Sequence, residues 1–191
     1  MTSPPRDQRT GWLDELLQIE EEVRLELVPL SEAQFAWRPG PGRWSIGECL
    51  EHLGVTTGLA VQGIRGALER GRAPGRTGSP PFKFGLLGGW FVGAMERPGK
   101  RGMTAPVNFV PRAGTPKPAV LECFSRAQRE LQAALESAEG LALDKIKAGS
   151  AAKGAGWLQL NVAAWFAATL AHERRHVAQA RRVMQAAGFP G

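Results

Sequence analysis

Residues 157 to 171 constrain the fold of this chain more than any other stretch. The run is 15 residues long, almost wholly apolar, and includes only Gln159 and Asn161 near its start as strongly polar members. It is too short to cross a bilayer, which takes about 20 apolar residues in a helix. A helix that is apolar all round has to be enclosed by other helices, so the rest of the chain must supply them. Past residue 171 the sequence turns polar, with Arg174, Arg175, Arg181 and Arg182. The spacing predicts one helix from about 157 to 187, emerging toward solvent and closed by Gly188-Phe189-Pro190.

Three further helices are predicted. Leu13, Leu16, Leu17, Val23, Leu27 and Leu30 keep helical spacing, with Thr10 as the expected cap and Pro29 as the expected end. Residues 30 to 43, with two Pro-Gly pairs at 39–42, read as a connection without regular structure. Ser45 followed by Glu48 is a capping box, with Trp44 and Cys49 at the hydrophobic-staple positions; it starts a second helix reaching about Arg70. Gly54, Gly58, Gly63 and Gly66 lie inside that helix. Each costs roughly 1 kcal/mol against alanine, which suggests a closely packed neighbour. A third helix runs from about Pro118 to Ala138, stopped by Gly140.

Between helices two and three, residues 71–118 form a long Gly/Pro-rich insertion. Its apolar element, 82 to 95, reads as a short helix over the mouth of a site, a dimer contact or a membrane-surface patch. Insertions of this length with their own apolar element are often lids. No stretch shows the two-residue period of a strand. The expectation is an all-α antiparallel four-helix bundle, one domain over 1–191, with 1–9 a loose tail.

Composition removes several classes of function. The net charge is +6, but no run of Lys/Arg exceeds two, and basic residues are not interleaved with aromatics as in single-strand binders. Neither a nucleic-acid partner nor a membrane is expected. The N-terminus lacks the apolar core of a signal peptide, and Cys49 and Cys123 are too few and too far apart for a disulfide framework. A cytoplasmic protein is expected.

The chain has three histidines. His172-Glu173-Arg174-Arg175-His176 has the H-E-x-x-H form of a zinc protease. That motif needs a third ligand downstream, but position 182 is Arg182, and none of the 15 residues after His176 is acidic. Histidines at i and i+4 share one helix face, and in a bundle, metal sites are built from inward side chains on facing helices. His52, two turns into helix two, can complete a three-imidazole set with an open position, as catalytic zinc sites have. The bland alternative is three separate boundary histidines. Glu173 reads as a base, as an acceptor for a ligand histidine or as a salt-bridge partner of an arginine such as Arg70. Cys49 reads as a buried small residue. Arg174 and Arg175 read as a solvated face or as anchors for a substrate carboxylate.

Residues 37 to 53, Trp37-Arg38-Pro39-Gly40-Pro41-Gly42-Arg43-Trp44-Ser45-Ile46-Gly47 leading to His52-Leu53, resemble the helix-two signature of the DinB-like metal-binding four-helix-bundle superfamily. His172 and His176 resemble its C-terminal H-x-x-x-H. The resemblance implies a bundle with an unusual helix connection and a divalent metal held by His52, His172 and His176. Zn is the first expectation, with Ni, Fe or Mn as alternatives. It further implies a small-molecule substrate and activation of a low-molecular-weight thiol for transfer to an electrophile; Glu173, beside His172 in sequence, is the catalytic candidate. The alternatives are a hydrolase using bound water and a non-catalytic metal-binding protein. A homodimer is the expected assembly.

Overall fold

The computed structural model describes residues 7–72, 76–97, 109–112, 114–151 and 158–191. The expected tail 1–9 falls mostly outside them, although Gln8 and Arg9 are already helical. Helix α1 (Gln8–Glu22) is capped by Asp7, whose carboxylate accepts from Thr10 N at 2.9 Å. Thr10 is therefore inside the helix, one turn past the cap. The chain runs on through a π-turn, Val23–Leu27, which buries Val23 and Leu27.

The connection after α1 is more ordered than expected. Helix α2 (Glu32–Ala36) has a complete capping box, Ser31 with Gln34. The Pro-Gly pairs only follow it, so they end this helix rather than prevent it. Its buried Phe35 lies so close to Gly47 that a Cβ there would stand 2.7 Å from the ring.

Helix α3 (Ile46–Gly71) starts at the predicted capping box, with Ser45 Oγ accepting from Glu48 N at 3.1 Å and Glu48 accepting from Ser45 N at 2.9 Å. Arg38 donates Nε to the same carboxylate at 2.8 Å. Helix α4 (Gly85–Glu96) covers most of the apolar stretch 82 to 95, and helix α5 (Lys117–Ser137) is the predicted third helix. The expectation of an insertion over 71–118 narrows, because Gly71 closes α3 and Lys117 and Pro118 open α5; 73–75, 98–108 and 113 lie outside the described residues.

The last helix corrects the sequence reading twice. It begins at Val162 and ends at Met184 (helix α6, Val162–Met184), because Asn161 caps it by accepting from Ala164 N at 2.8 Å. Just before it, β2 (Gln159–Asn161) pairs antiparallel with β1 (Lys147–Gly149), Ala148 opposite Leu160. Two strands of three residues are too short to show a period, so the expectation of no strands misses them. Trp157 lies outside the described residues.

Helices α1 and α3 each pack against both α5 and α6. The two halves of the sequence therefore alternate around the bundle, and the core is filled by Leu16, Leu27, Leu50, Leu53, Ile64, Leu131, Leu135 and Phe166, all fully buried. Close approach of α5 to α3 depends on Gly54, where a Cβ would stand 2.8 Å from Cys123 Sγ and 3.1 Å from backbone atoms of Cys123 and Phe124. Gly63 similarly admits the carbonyl of Gly149. Helix α4 lies along α6: Gly88 faces Ala164, Phe91 meets Trp165 edge-on at 5.6 Å, and Glu96 pairs with Arg174. Its other face is open, with Leu86 97% and Trp90 68% exposed. No helix among the described residues is long and apolar enough to cross a membrane.

Candidate metal centre

The register of α3 is pinned at Ser45, and seven residues later it delivers His52 to the face turned toward α6. There His172 and His176, one turn apart, face back. The three ring centroids are 4.6–5.0 Å apart. His52 Nε2 and His172 Nε2 are 3.2 Å apart, and one ring nitrogen from each of the three residues lies within 4.8 Å of the others. Two imidazole nitrogens on a tetrahedral ion at about 2.05 Å are separated by roughly 3.3 Å. The observed spacing fits.

The chemistry of the donors fits as well. His52 Nδ1 lies 2.7 Å from the carbonyl oxygen of Phe109, so that Nδ1–H donates there and Nε2 carries the lone pair. Burial lowers the pKa of His52, lowers that of His172 further with the charges of its two neighbours, and brings His176 down to about 3. All three rings are thus neutral at neutral pH, the form that ligates. His176 Nδ1 is buried without a hydrogen-bond partner. Trp44 covers the cluster, its ring 4.9 Å from His52 and stacked on His176 at 5.6 Å.

Other candidates part company here. Glu173, one step round the helix from His172, is drawn into the core. Its Oε1 accepts from Thr57 Oγ1 at 2.6 Å and from Gln128 Nε2 at 2.8 Å, tying α6 to α3 and α5. Neither of these bonds goes to a histidine or to Arg70. Burial raises its pKa to about 7, opposed by those two hydrogen bonds. Cys49 is buried, and burial pushes its thiol up to about 12, too high for a nucleophile. Arg174 pairs with Glu15 and Glu96. Arg175 instead turns to the cluster, its Nη2 3.2 Å from His176 Nε2.

Sequence reasoning missed Phe109 and the Thr57–Gln128 pair. Phe109 acts through its carbonyl, which every residue has, so no sequence signal marks it. Trp44 was visible as a staple residue, but nothing in its spacing tied it to the histidines.

Three convergent, neutral, largely buried imidazoles from two helices of a bundle define a class: helical-bundle proteins with a three-histidine group suited to a divalent metal. Within that class the chain belongs to the DinB superfamily, whose family model matches residues 15–180. Among solved structures it is similar to YfiT from Bacillus subtilis, described as a probable metal-dependent hydrolase with an unusual four-helix bundle topology. The TM-score is 0.60 at 11% identity, over 100% of this chain and 93% of that one. At that identity the likeness is one of fold. No curated protein matches the chain.

Proposed function

We propose that His52, His172 and His176 hold a divalent metal ion, zinc first, and that the protein is a metal-dependent enzyme acting on a small molecule in the cytoplasm. The observation that carries this is the Phe109 carbonyl on His52 Nδ1, which leaves the lone pair on Nε2, 3.2 Å from His172 Nε2. When bound, such an ion supplies Lewis acidity and lowers the pKa of a water or thiol in its open position. The chain's own residues do the rest. Phe109 fixes the tautomer of His52, Trp44 keeps solvent from one side, and Glu173 locks the rotation of α6 through Thr57 and Gln128.

Hydrolysis is the leading reaction, in line with the description of YfiT. Thiol transfer to an electrophile is the second reading, favoured by one observation. Both hydrogen bonds of Glu173 go to Thr57 and Gln128, away from the imidazoles, and a coordinated thiol loses its proton without a side-chain base. The assembly is a homodimer formed through α4, supported by the exposed Leu86 and Trp90.

Metal analysis of purified wild type and of His52→Ala tests the centre: about one divalent ion per chain in the first and none in the second is expected. A metal content that ignores all three histidines refutes it. Turnover of an ester or amide panel without thiol selects hydrolysis. Thiol-dependent loss of an electrophile, abolished in His176→Ala, selects transfer. Sedimentation of wild type as a monomer refutes the dimer.

A further inference from the structure

Charge around the cluster is unbalanced. All 18 Asp and Glu of the chain lie among the described residues, and those on or beside the elements that carry the histidines are engaged elsewhere. Glu48 binds Arg38 and the Ser45 amide, and Glu51 accepts from Arg112 N and Thr115 Oγ1. Glu15 and Glu96 hold Arg174, and Glu173 points into the core. Arg175 is half-buried, pairs with no carboxylate among the described residues, and directs its guanidinium at His176.

Neutral imidazoles cannot offset this cation or a divalent ion beside it. A guanidinium that faces a metal centre with no acidic partner is stabilised by an anion that reaches both. Resting on the metal reading above, we infer that the substrate of this site carries an oxyanion, carboxylate or phosphoryl, next to its reacting group, and that Arg175 binds that oxyanion. Arg174, adjacent in sequence, is excluded from the role by its two ion pairs. The pair that looked equivalent in sequence is divided: one arginine staples α6 to α1 and α4, and the other selects the substrate.

The test uses cobalt-loaded protein, whose visible bands report what enters the metal's coordination sphere. Acetate and inorganic phosphate are titrated separately, with acetamide as the uncharged counterpart. Saturable band shifts with at least one anion and none with acetamide are expected, and the anion that responds names the class. Arg175→Gln is expected to keep cobalt stoichiometry and raise the apparent Kd of that anion roughly tenfold or more, a charge-assisted hydrogen bond being lost; Arg175→Lys recovers part of it. Equal anion affinity in wild type and Arg175→Gln overturns the inference, as does a cobalt-loaded wild type that answers neither anion. If wild type takes up no cobalt, the three-histidine reading itself falls and this one with it. Thermal melts of both variants separate a folding defect from lost binding; should Arg175→Gln unfold, the Kd of Arg175→Lys decides, and a value equal to wild type in that folded variant refutes a guanidinium-specific contact.

Discussion

Replacing Glu173 by glutamine exposes how much stability a buried carboxyl costs this bundle. Both donors, Thr57 Oγ1 at 2.6 Å and Gln128 Nε2 at 2.8 Å, converge on Oε1, while Oε2 is buried without a partner. Burial therefore dominates, and the pKa stands at about 7 in place of the ordinary 4.5. A folded-state pKa above the unfolded one means the folded protein holds the proton more tightly. Its stability contribution is fully present below pH 4.5 and is lost as pH rises through about 7. The gap is worth about 3 kcal/mol at 1.36 kcal/mol for each step of pKa. Glutamine keeps the shape and an acceptor for Thr57 and Gln128 but does not ionise. The assay is urea unfolding of metal-free wild type and Glu173→Gln across about pH 4 to 9, reading the difference between them so that the histidines' contribution cancels. The difference should move in the variant's favour by about 3 kcal/mol over that range. A fixed offset, from the new amide group, is compatible with the reasoning; a difference that stays flat with pH refutes it.

Three other outcomes follow from the geometry. Metal-free protein should lose stability as pH falls below about 6.5, because burial holds the histidine pKa values down in the folded state, to about 3 for His176; a smaller acid loss in His176→Gln by urea unfolding checks the assignment, with about 3 kcal/mol at stake near pH 4. Gly54→Val should destabilise by about 1–3 kcal/mol, since the added Cβ meets backbone of α5 at 3.1 Å and that helix has to shift; a thermal melt equal to wild type refutes the close-packing argument. Ser45→Ala removes the side-chain acceptor of Glu48 N and should cost about 1 kcal/mol; unchanged denaturant midpoints would show that the cap does not set the start of α3.

Long helices with marked ends were legible in the sequence. Ser45 and Glu48 placed α3 to the residue, and with it the face on which His52 lies. The apolar run ending at Ala171 placed α6 in the interior, and the i,i+4 spacing put His172 and His176 side by side. Ser31 and Gln34 carry the same capping pattern as Ser45 and Glu48, yet the five-residue α2 was overshadowed by the Pro-Gly pairs that follow it. The β1–β2 pair was hidden for a different reason: it is held by backbone hydrogen bonds between residues 147–149 and 159–161, and three residues show no period. The partners of Glu173 were not legible, because the H-E-x-x-H spacing names no residue on α3 or α5 for its carboxyl to meet. One step along a helix turns a side chain by about 100°, enough to move a carboxyl from the histidine face to the core.

The Phe109 contact has a consequence for how this centre tolerates change. The residue that orients His52 contributes no side chain to that contact, so the contact itself constrains only its place along the chain. That place is set close by, where Glu51, one residue before His52, accepts from Arg112 N at 3.0 Å and from Thr115 Oγ1 at 2.9 Å. The carbonyl and its anchors form a short ruler laid against the start of α3. Substitution at 109 leaves the carbonyl in place, whereas removal of a single residue between 109 and 112 would slide the oxygen off the ring. For this contact the length of the connection, rather than its letters, carries the constraint.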